Sequence, residues 1–543
     1  MPLDYSYFDF NGKNVILIIG RNEKGKRIGV IDDYEPNFWV VLKDKISDKK
    51  IKEIEKKIGV IEVEKASRKT RVLSTRVCDK KFLGKNVKAI QVFVENHKDL
   101  QAVASEIDFP EVDKRREYDI SIISKYIMEK KVNPMEWQDV ETNSLDISEE
   151  YGGFGKDLDV EMLVKVEKIS KSDEQPEFKP KVLTFDIETD EFELGKGNVL
   201  MISLYGENFE KVLTWKKCSK KQDFVECFKD EAEMLEKFVE YVKEYDADIL
   251  SGYFSDGFDL PYLKSVASRN KVRLSLGIDG SQPNFTRGRI PSGKIFGMVH
   301  LDVFRFIENV YSQYLQSETI SLNDVASELL GENKKDFDFH KIPNMKDADW
   351  RDFFEYNLHD SRITYELFQR LWPDILEFAK IMHEPLFEVT RSSMSGHVED
   401  YLLHNLDRFN EIAEKRPVHE EIGKRRAFGK YEGALVFEPK PGLYEDIGVF
   451  DFTSMHASII VSFNISLSTI SKKKKKGFYE TPEFELNKEK NKYYFSNEVG
   501  FFPALLGEVV EKRKKYKQEY NENKNPLTKA RSNAYKLLAN ASY

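Results

Sequence analysis

The sequence predicts a multidomain protein of mixed α/β and α+β organisation, on three observations. The chain has 543 residues, enough for roughly three or four domains with separate cores. From Val182 to about Phe378, short apolar runs alternate with helical patterns, as in an α/β domain. After Pro385 the pattern turns helical, passes a strand-like "LYEDIGVFDF" and ends in two basic helices. No internal repeat is visible.

The first 130 or so residues mix strands and helices, with apolar runs such as "NVILIIG", "NFWVVLKD" and "VKAIQVFV" between turns. Two polar stretches follow, "EWQDVETNSLDISEEYGGFGKDLD" and "KSDEQPEFKPK", which read as a surface insertion or linker over about 138–178. Hydrophobic residues at 40%, aromatic at 13% and charged at 33% describe a folded, soluble chain. No apolar run approaches the roughly 20 residues of a membrane span, and the N-terminus "MPLDYSYFDFNGK" lacks the basic start and apolar stretch of a signal peptide. Cys78, Cys218 and Cys227 are too few and scattered for a disulfide framework or a zinc site. These features point to a cytoplasmic protein.

Net charge is −9 and the pI about 5.8, which argues against indiscriminate nucleic-acid binding. The charge is uneven, however. Residues 511–536 carry nine Lys or Arg against three Glu, and 472–476 are five consecutive lysines. Such a run is more often a solvated loop than a phosphate contact.

Chemistry first appears in "KVLTFDIETD". As a strand, Val182, Thr184, Asp186 and Glu188 share one face, and Leu183, Phe185 and Ile187 the other. Two adjacent carboxylates repel unless a cation neutralises them, which suggests a divalent metal; alone, a solvated strand end explains them as well. In "SGYFSDGFDLPYL", Asp259 precedes a helix with Pro261 in its first turn, so it also reads as an N-cap. "WRDFFEYNLHDSRITYELF" is an amphipathic helix with Tyr356 and Asp360 on one face. Together the four carboxylates and the phenol suit a two-metal phosphodiesterase.

"FDIET", "FDLPYL" and "YNLHD", in that order, resemble the three exonuclease motifs of archaeal-type family B DNA polymerases. "FLGKNVKAIQVF" and "EYDISIISKYIMEKKVNPMEW" resemble that family's N-terminal domain, and "YEGALVFEPKPGLYEDIGVFDFTSMHASII" its palm. The resemblance runs the length of the chain. It implies a mixed N-terminal domain over 1–175, an RNase H-like 3′–5′ exonuclease domain over 176–375, a partial palm over 376–500 and two fingers helices over 501–543, with the thumb absent.

In the exonuclease half, the resemblance implies that Asp186, Glu188, Asp259 and Asp360 hold two Mg²⁺ ions, replaceable by Mn²⁺, and that Tyr356 positions the water. Phe254 stands where the family has Asn and faces the single-stranded 3′ end. In the polymerase half it implies that Asp451 binds Mg²⁺ and that Arg513, Lys517, Lys536, Asn540 and Tyr543 grip the incoming dNTP. "KLLANASY" matches the pattern Lys-x-x-x-Asn-Ser-x-Tyr-Gly, with Ala541 in place of Ser. His456 and Ala457 replace a family Tyr and Pro; that Tyr crowds the 2′-hydroxyl of ribonucleotides. "YEGA", with Tyr431 and Gly433, resembles the motif that contacts the template. Tyr7, Pro36, Leu100, Ile120 and Ser121 fall where archaeal members sense template uracil, with Ser121 for a Pro and Leu100 for a Val.

The family supplies its second palm carboxylate in a Tyr-x-Asp-Thr-Asp hairpin, which these residues do not contain. The expectation is therefore the large part of a polymerase that acts on primer–template DNA. A small C-terminal chain would bring the hairpin and thumb, leave apolar palm surface exposed when absent, and offer a route to a sliding clamp. A polymerase cut short, a stand-alone 3′–5′ exonuclease and a non-catalytic DNA-binding scaffold are the alternatives. Retention of the triphosphate grip speaks against the last two.

Overall fold

In the computed structural model, "VLTFDIET" forms strand β1 (Val182–Thr189), as its alternation predicts. Leu183, Phe185 and Ile187 are buried in one apolar core, which leaves Thr184, Asp186 and Glu188 on the opposite face. Strands β2 (Val199–Gly206), β3 (Phe209–Thr214), β4 (Val225–Cys227), β5 (Ile249–Gly252) and β6 (Val299–Asp302) complete a six-stranded sheet ordered β4-β3-β2-β1-β5-β6. β1 pairs antiparallel with β2 and parallel with β5, so it lies inside the sheet with both edges satisfied.

Helix α1 (Glu231–Tyr245) covers one face with Met234, Leu235, Phe238 and Val242. Asp230 caps it, accepting the Glu233 N–H at 3.0 Å. Helix α2 (Asp259–Arg269) follows β5 across the loop 253–258. Here the structure differs from expectation: Phe258 is the N-cap and Asp259 the first helical residue, so its carboxylate is not spent on capping. The long helix α3 (Asp347–Met382) tolerates Pro373 inside it, and α4 (Leu386–Arg391) comes next.

The structure describes residues 1–543 apart from 66–67, 145, 217–221, 287, 289, 333–344, 346, 428–436, 453 and 487–488. The described chain forms two compact units, each gathered from separated segments. The first combines Met1–Tyr34, Ser121–His404 and Lys512–Ala541. Besides the sheet above, it holds strands Pro2–Phe10, Lys13–Arg21, Arg27–Tyr34 and Met162–Lys165, in that order. Buried Arg21 ties these strands to the end of α1 and the start of β5, at 2.8 Å from Asp246 and 2.6 Å from Asp248.

The second unit combines Glu35–Ile120, Asn405–Glu511 and Ser542–Tyr543. Its five-stranded sheet runs Glu62–Lys65, Arg68–Phe82, Lys85–Val94, Asn37–Leu42, Val112–Arg116. Ile51, Ile54 and Ile58 from one helix and Leu100 and Val103 from another close its core. Helix α5 (Met455–Ser462) forms where "SMHASII" predicts one. The strand expected in "LYEDIGVFDF" does not form. Residues 443–452 have no ladder partner among the described residues, and Leu443, Val449 and Phe450 are 91%, 89% and 96% exposed. A strand needs a neighbour to hydrogen-bond, and alternation alone cannot supply one.

The basic helices form as predicted: α6 (Phe501–Asn523) and α7 (Pro526–Ala541). The turn between them uses Lys524 at φ 49° and the Asn525 side chain, which accepts the Leu527 N–H at 2.8 Å. Across it, the Tyr516 and Tyr535 rings stack at 5.8 Å. Arg531 of α7 forms a bidentate pair with Glu377 of α3 at 2.6 and 2.7 Å. Cys78 is free and Cys227 is disulfide-bonded, a bridge the cysteine spacing did not suggest. Among the described residues, no helix is long and apolar enough to cross a membrane.

Phe185 is fully buried and packs on Phe238 at 6.0 Å. Phe185→Ala should lower stability by about 3–5 kcal/mol in denaturant titrations, and a loss below about 1 kcal/mol would contradict the placement of this core.

Candidate active site

Asp186 and Glu188 leave β1 on the face that α3 covers, and Asp360 comes down from α3 to meet them. Ligand oxygens of the three carboxylates all lie within 4.8 Å of one another. Small hydroxyl side chains allow that approach. The Thr184 hydroxyl donates to the Ser361 carbonyl at 2.9 Å. The Ser203 hydroxyl donates to the Asn357 carbonyl at 2.9 Å and lies 2.6 Å from the Ser361 hydroxyl. A branched aliphatic at any of these positions would push the helix off the sheet. Asn357, buried one turn before Ser361, donates its amide to Asp186 Oδ2 at 2.7 Å.

Asp259 lies outside the 4.8 Å group but is fastened beside it, because its carboxylate accepts the N–H of Ile187, the residue between Asp186 and Glu188. Burial pushes the Asp259 carboxyl up to about 7; its own and the Ile187 backbone N–H oppose the rise, and the charge of Asp302 adds to it.

Asp302 is the residue the sequence reading missed. It ends β6, is fully buried, and accepts the backbone N–H groups of Phe254, Asp256 and Phe304 at 2.9, 3.0 and 3.0 Å. Burial, then the charge of Asp256, raises its carboxyl to about 6. Asp256 is held ionised below the usual carboxylate range, because His300 and Arg391 together outweigh its burial. Arg391 Nε donates to it at 2.7 Å, and Gly293 N–H at 2.8 Å. The loop 253–258 is thus stapled from below by an ionic network and delivers Asp259 to β1. Only an Asp at the end of the apolar run "MVHL" hinted at this hub.

Tyr356 lies one turn before Asp360, buried with Leu200, Met201 and Phe353. Phe254 takes a left-handed φ of 63°, is 38% exposed, and sets its ring 5.0 Å from that of Phe304. An all-oxygen set of three crowded carboxylates fits a hard divalent cation such as Mg²⁺ or Mn²⁺.

Two family models match the chain: DNA polymerase family B, exonuclease domain, over residues 113–325, and DNA polymerase family B over 385–543. DNA polymerase 1 of Pyrococcus abyssi is 30% identical, with 100% of this chain and 64% of that protein covered. A DNA polymerase of Thermococcus litoralis is 31% identical, covering 100% and 29%. The chain belongs to the family B DNA polymerases. A solved structure of the family B DNA polymerase from Pyrobaculum calidifontis shares its fold, with a TM-score of 0.79 at 24% identity over 99% of this chain and 67% of that one. The chain spans 64% of the length of the Pyrococcus abyssi relative.

The residues singled out for the polymerase half of this family B chain divide between the two units. In the second unit Asp451 and His456 are exposed, and the His456 ring stacks on Tyr543 at 4.5 Å. In the first unit the Lys536 ammonium sits 5.0 Å from the centre of the Tyr314 ring, whose hydroxyl also feels the charge of Arg513. Lys517 and Asn540 are exposed. Tyr431 and Gly433 lie outside the described residues. Of the uracil candidates, half-buried Tyr7 and exposed Ser121 belong to the first unit; Pro36, Leu100 and Ile120 belong to the second. Ser121 caps the helix Ile122–Lys130, and Leu100 is part of an apolar core.

Without metal, the native state keeps protons on Asp302 and Asp259 that the unfolded chain has released, so these groups cost stability as pH rises from about 4 to about 7. A cation bound by ionised carboxylates acts in the opposite sense. The melting-temperature gap between Mg²⁺ and EDTA should therefore widen from about pH 5 to about pH 8. A gap that does not change with pH would contradict this.

Proposed function

We propose that this chain carries the 3′–5′ proofreading exonuclease of a DNA-directed DNA polymerase and one side of its nucleotidyl-transfer site. The observation that carries the reading is the carboxylate group of Asp186, Glu188 and Asp360, with Asp259 fastened alongside. These four residues would hold two Mg²⁺ ions, or Mn²⁺ in their place. When bound, such ions activate water and stabilise the leaving 3′-oxygen. Asn357 fixes the Asp186 carboxylate, and Tyr356, immobilised by its packing, orients the water. Phe254, half-exposed on its stapled loop, offers an aromatic face to the last bases of the single-stranded 3′ end.

For synthesis, Asp451 is the palm carboxylate, His456 and Tyr543 border the nucleotide, and Arg513, Lys517, Lys536 and Asn540 meet the dNTP. Nucleotidyl transfer through two ions needs a further palm carboxylate, and residues 1–543 lack the Tyr-x-Asp-Thr-Asp hairpin that supplies it in the family. The bare apolar segment 443–452 supports the same reading, since its exposed Leu443, Val449 and Phe450 suit burial against further palm strands. We assign those strands, the missing carboxylate and the thumb to a small partner chain that also reaches the sliding clamp. A longer single polypeptide would satisfy the same geometry. The setting that follows is the cytoplasm, on the chromosome.

The reading is tested with residues 1–543 alone, Mg²⁺ and a labelled primer–template bearing a 3′ mismatch, with and without dNTPs. The primer should shorten in both conditions and never lengthen. Asp186→Ala should slow shortening by more than about 100-fold, since loss of an outer-shell partner alone costs up to that much. Undiminished shortening in that variant would reject the site, and extension would reject the incomplete palm.

A further inference from the structure

Residues 470–495 carry eight lysines against four glutamates and no arginine or aspartate, in a chain whose net charge is −9. They form a small sheet of their own in the second unit. Strands Ile470–Ser471 and Tyr479–Glu480 flank Tyr494–Phe495, each antiparallel to it. The five consecutive lysines 472–476 therefore lie in the connection that carries the chain from one side of the central strand to the other.

That connection has a defined shape. The Ser471 hydroxyl donates to the Lys473 carbonyl and accepts the Lys473 N–H, both at 3.0 Å. Phe478 N–H returns to the Lys475 carbonyl at 3.2 Å, and Gly477 supplies the left-handed φ of 83° that the reversal needs. Below it, buried Asn464 clamps the chain, donating to the carbonyls of Ser496 and Glu498 and accepting the Gly500 N–H at 2.9 Å.

All five lysines are exposed. Lys474 pairs with Glu480 at 3.1 Å; Lys472, Lys473, Lys475 and Lys476 make no ion pair among the described residues. Five like charges on successive residues of an ordered loop repel one another, a cost that a polyanion removes. Aromatic faces stand beside them: Lys475 covers the Phe478 ring at 5.6 Å, and Tyr479, 41% exposed, leans on Phe463.

We propose that the 472–476 loop is a DNA-docking surface, built from none of the residues assigned to the nuclease and nucleotide sites, that reads backbone phosphates without regard to sequence. A duplex offers one negative charge per about 1.7 Å of its axis, so several of these lysines can find phosphates together. Only the choice of DNA as the polyanion rests on the polymerase reading; the unpaired charge does not.

The test is fluorescence anisotropy with a labelled primer–template in EDTA, titrated between roughly 50 and 200 mM salt. Two charge-matched variants are compared with the unmodified chain: K472Q/K473Q/K475Q/K476Q, and K45Q/K49Q/K52Q/K56Q as a control elsewhere. The loop variant should lose about tenfold or more in affinity and flatten the log K against log salt slope by about 2 to 4, while the control stays within about twofold. Its melting temperature and its Mg²⁺-dependent degradation of a short single-stranded oligonucleotide should match those of the unmodified chain. Unchanged affinity and slope in the loop variant would overturn the proposal and leave the loop to an acidic protein surface. An equal loss in the control would overturn it as well. Failure of the nuclease reading would show separately, as an inactive chain whose DNA affinity still depends on the loop.

Discussion

Three carboxylates brought within 4.8 Å of one another are the constraint around which the first unit is arranged. Like charges at that distance separate unless the scaffold forbids it or a cation joins them. The scaffold does much of this work through hydroxyls. Thr184, Ser203 and Ser361 replace what would elsewhere be apolar contacts between a strand and a helix, and their hydrogen bonds fix how far α3 sits from β1. Asn357 then aims the Asp186 carboxylate.

The same logic holds below the fourth carboxylate. Asp259 is delivered by a loop that hangs on two further buried acids, one held ionised beside Arg391 and the other accepting backbone N–H groups. Removing one member of such a network leaves an uncompensated buried charge, which makes it a rigid support. The contrast with the second unit is physical. There the segment 443–452 exposes its apolar residues, and no comparable network holds Asp451 among the described residues.

Much of the candidate site was legible in the sequence because its chemistry is local. A strand with acids two apart, a helix with Tyr356 and Asp360 four apart and the basic hairpin helices all follow from spacing. What spacing cannot give is partners distant along the chain. Asn357 meets Asp186 across 171 residues, and Arg391 meets Asp256 across 135. The two units also draw on separated segments, so a linear division of the chain could not foresee them. Asp259 is the first helical residue instead of a cap, and its carboxylate accepts the N–H of Ile187, a partner 72 residues earlier. "LYEDIGVFDF" alternates like a strand, yet a strand forms only against a neighbour.

The central claim is that these carboxylates form a metal site, and anomalous diffraction from crystals soaked in Mn²⁺ tests it most directly. The account predicts manganese peaks bounded by Asp186, Glu188 and Asp360, with Asp259 turned toward them. Strong manganese density elsewhere and none among these three carboxylates would contradict it.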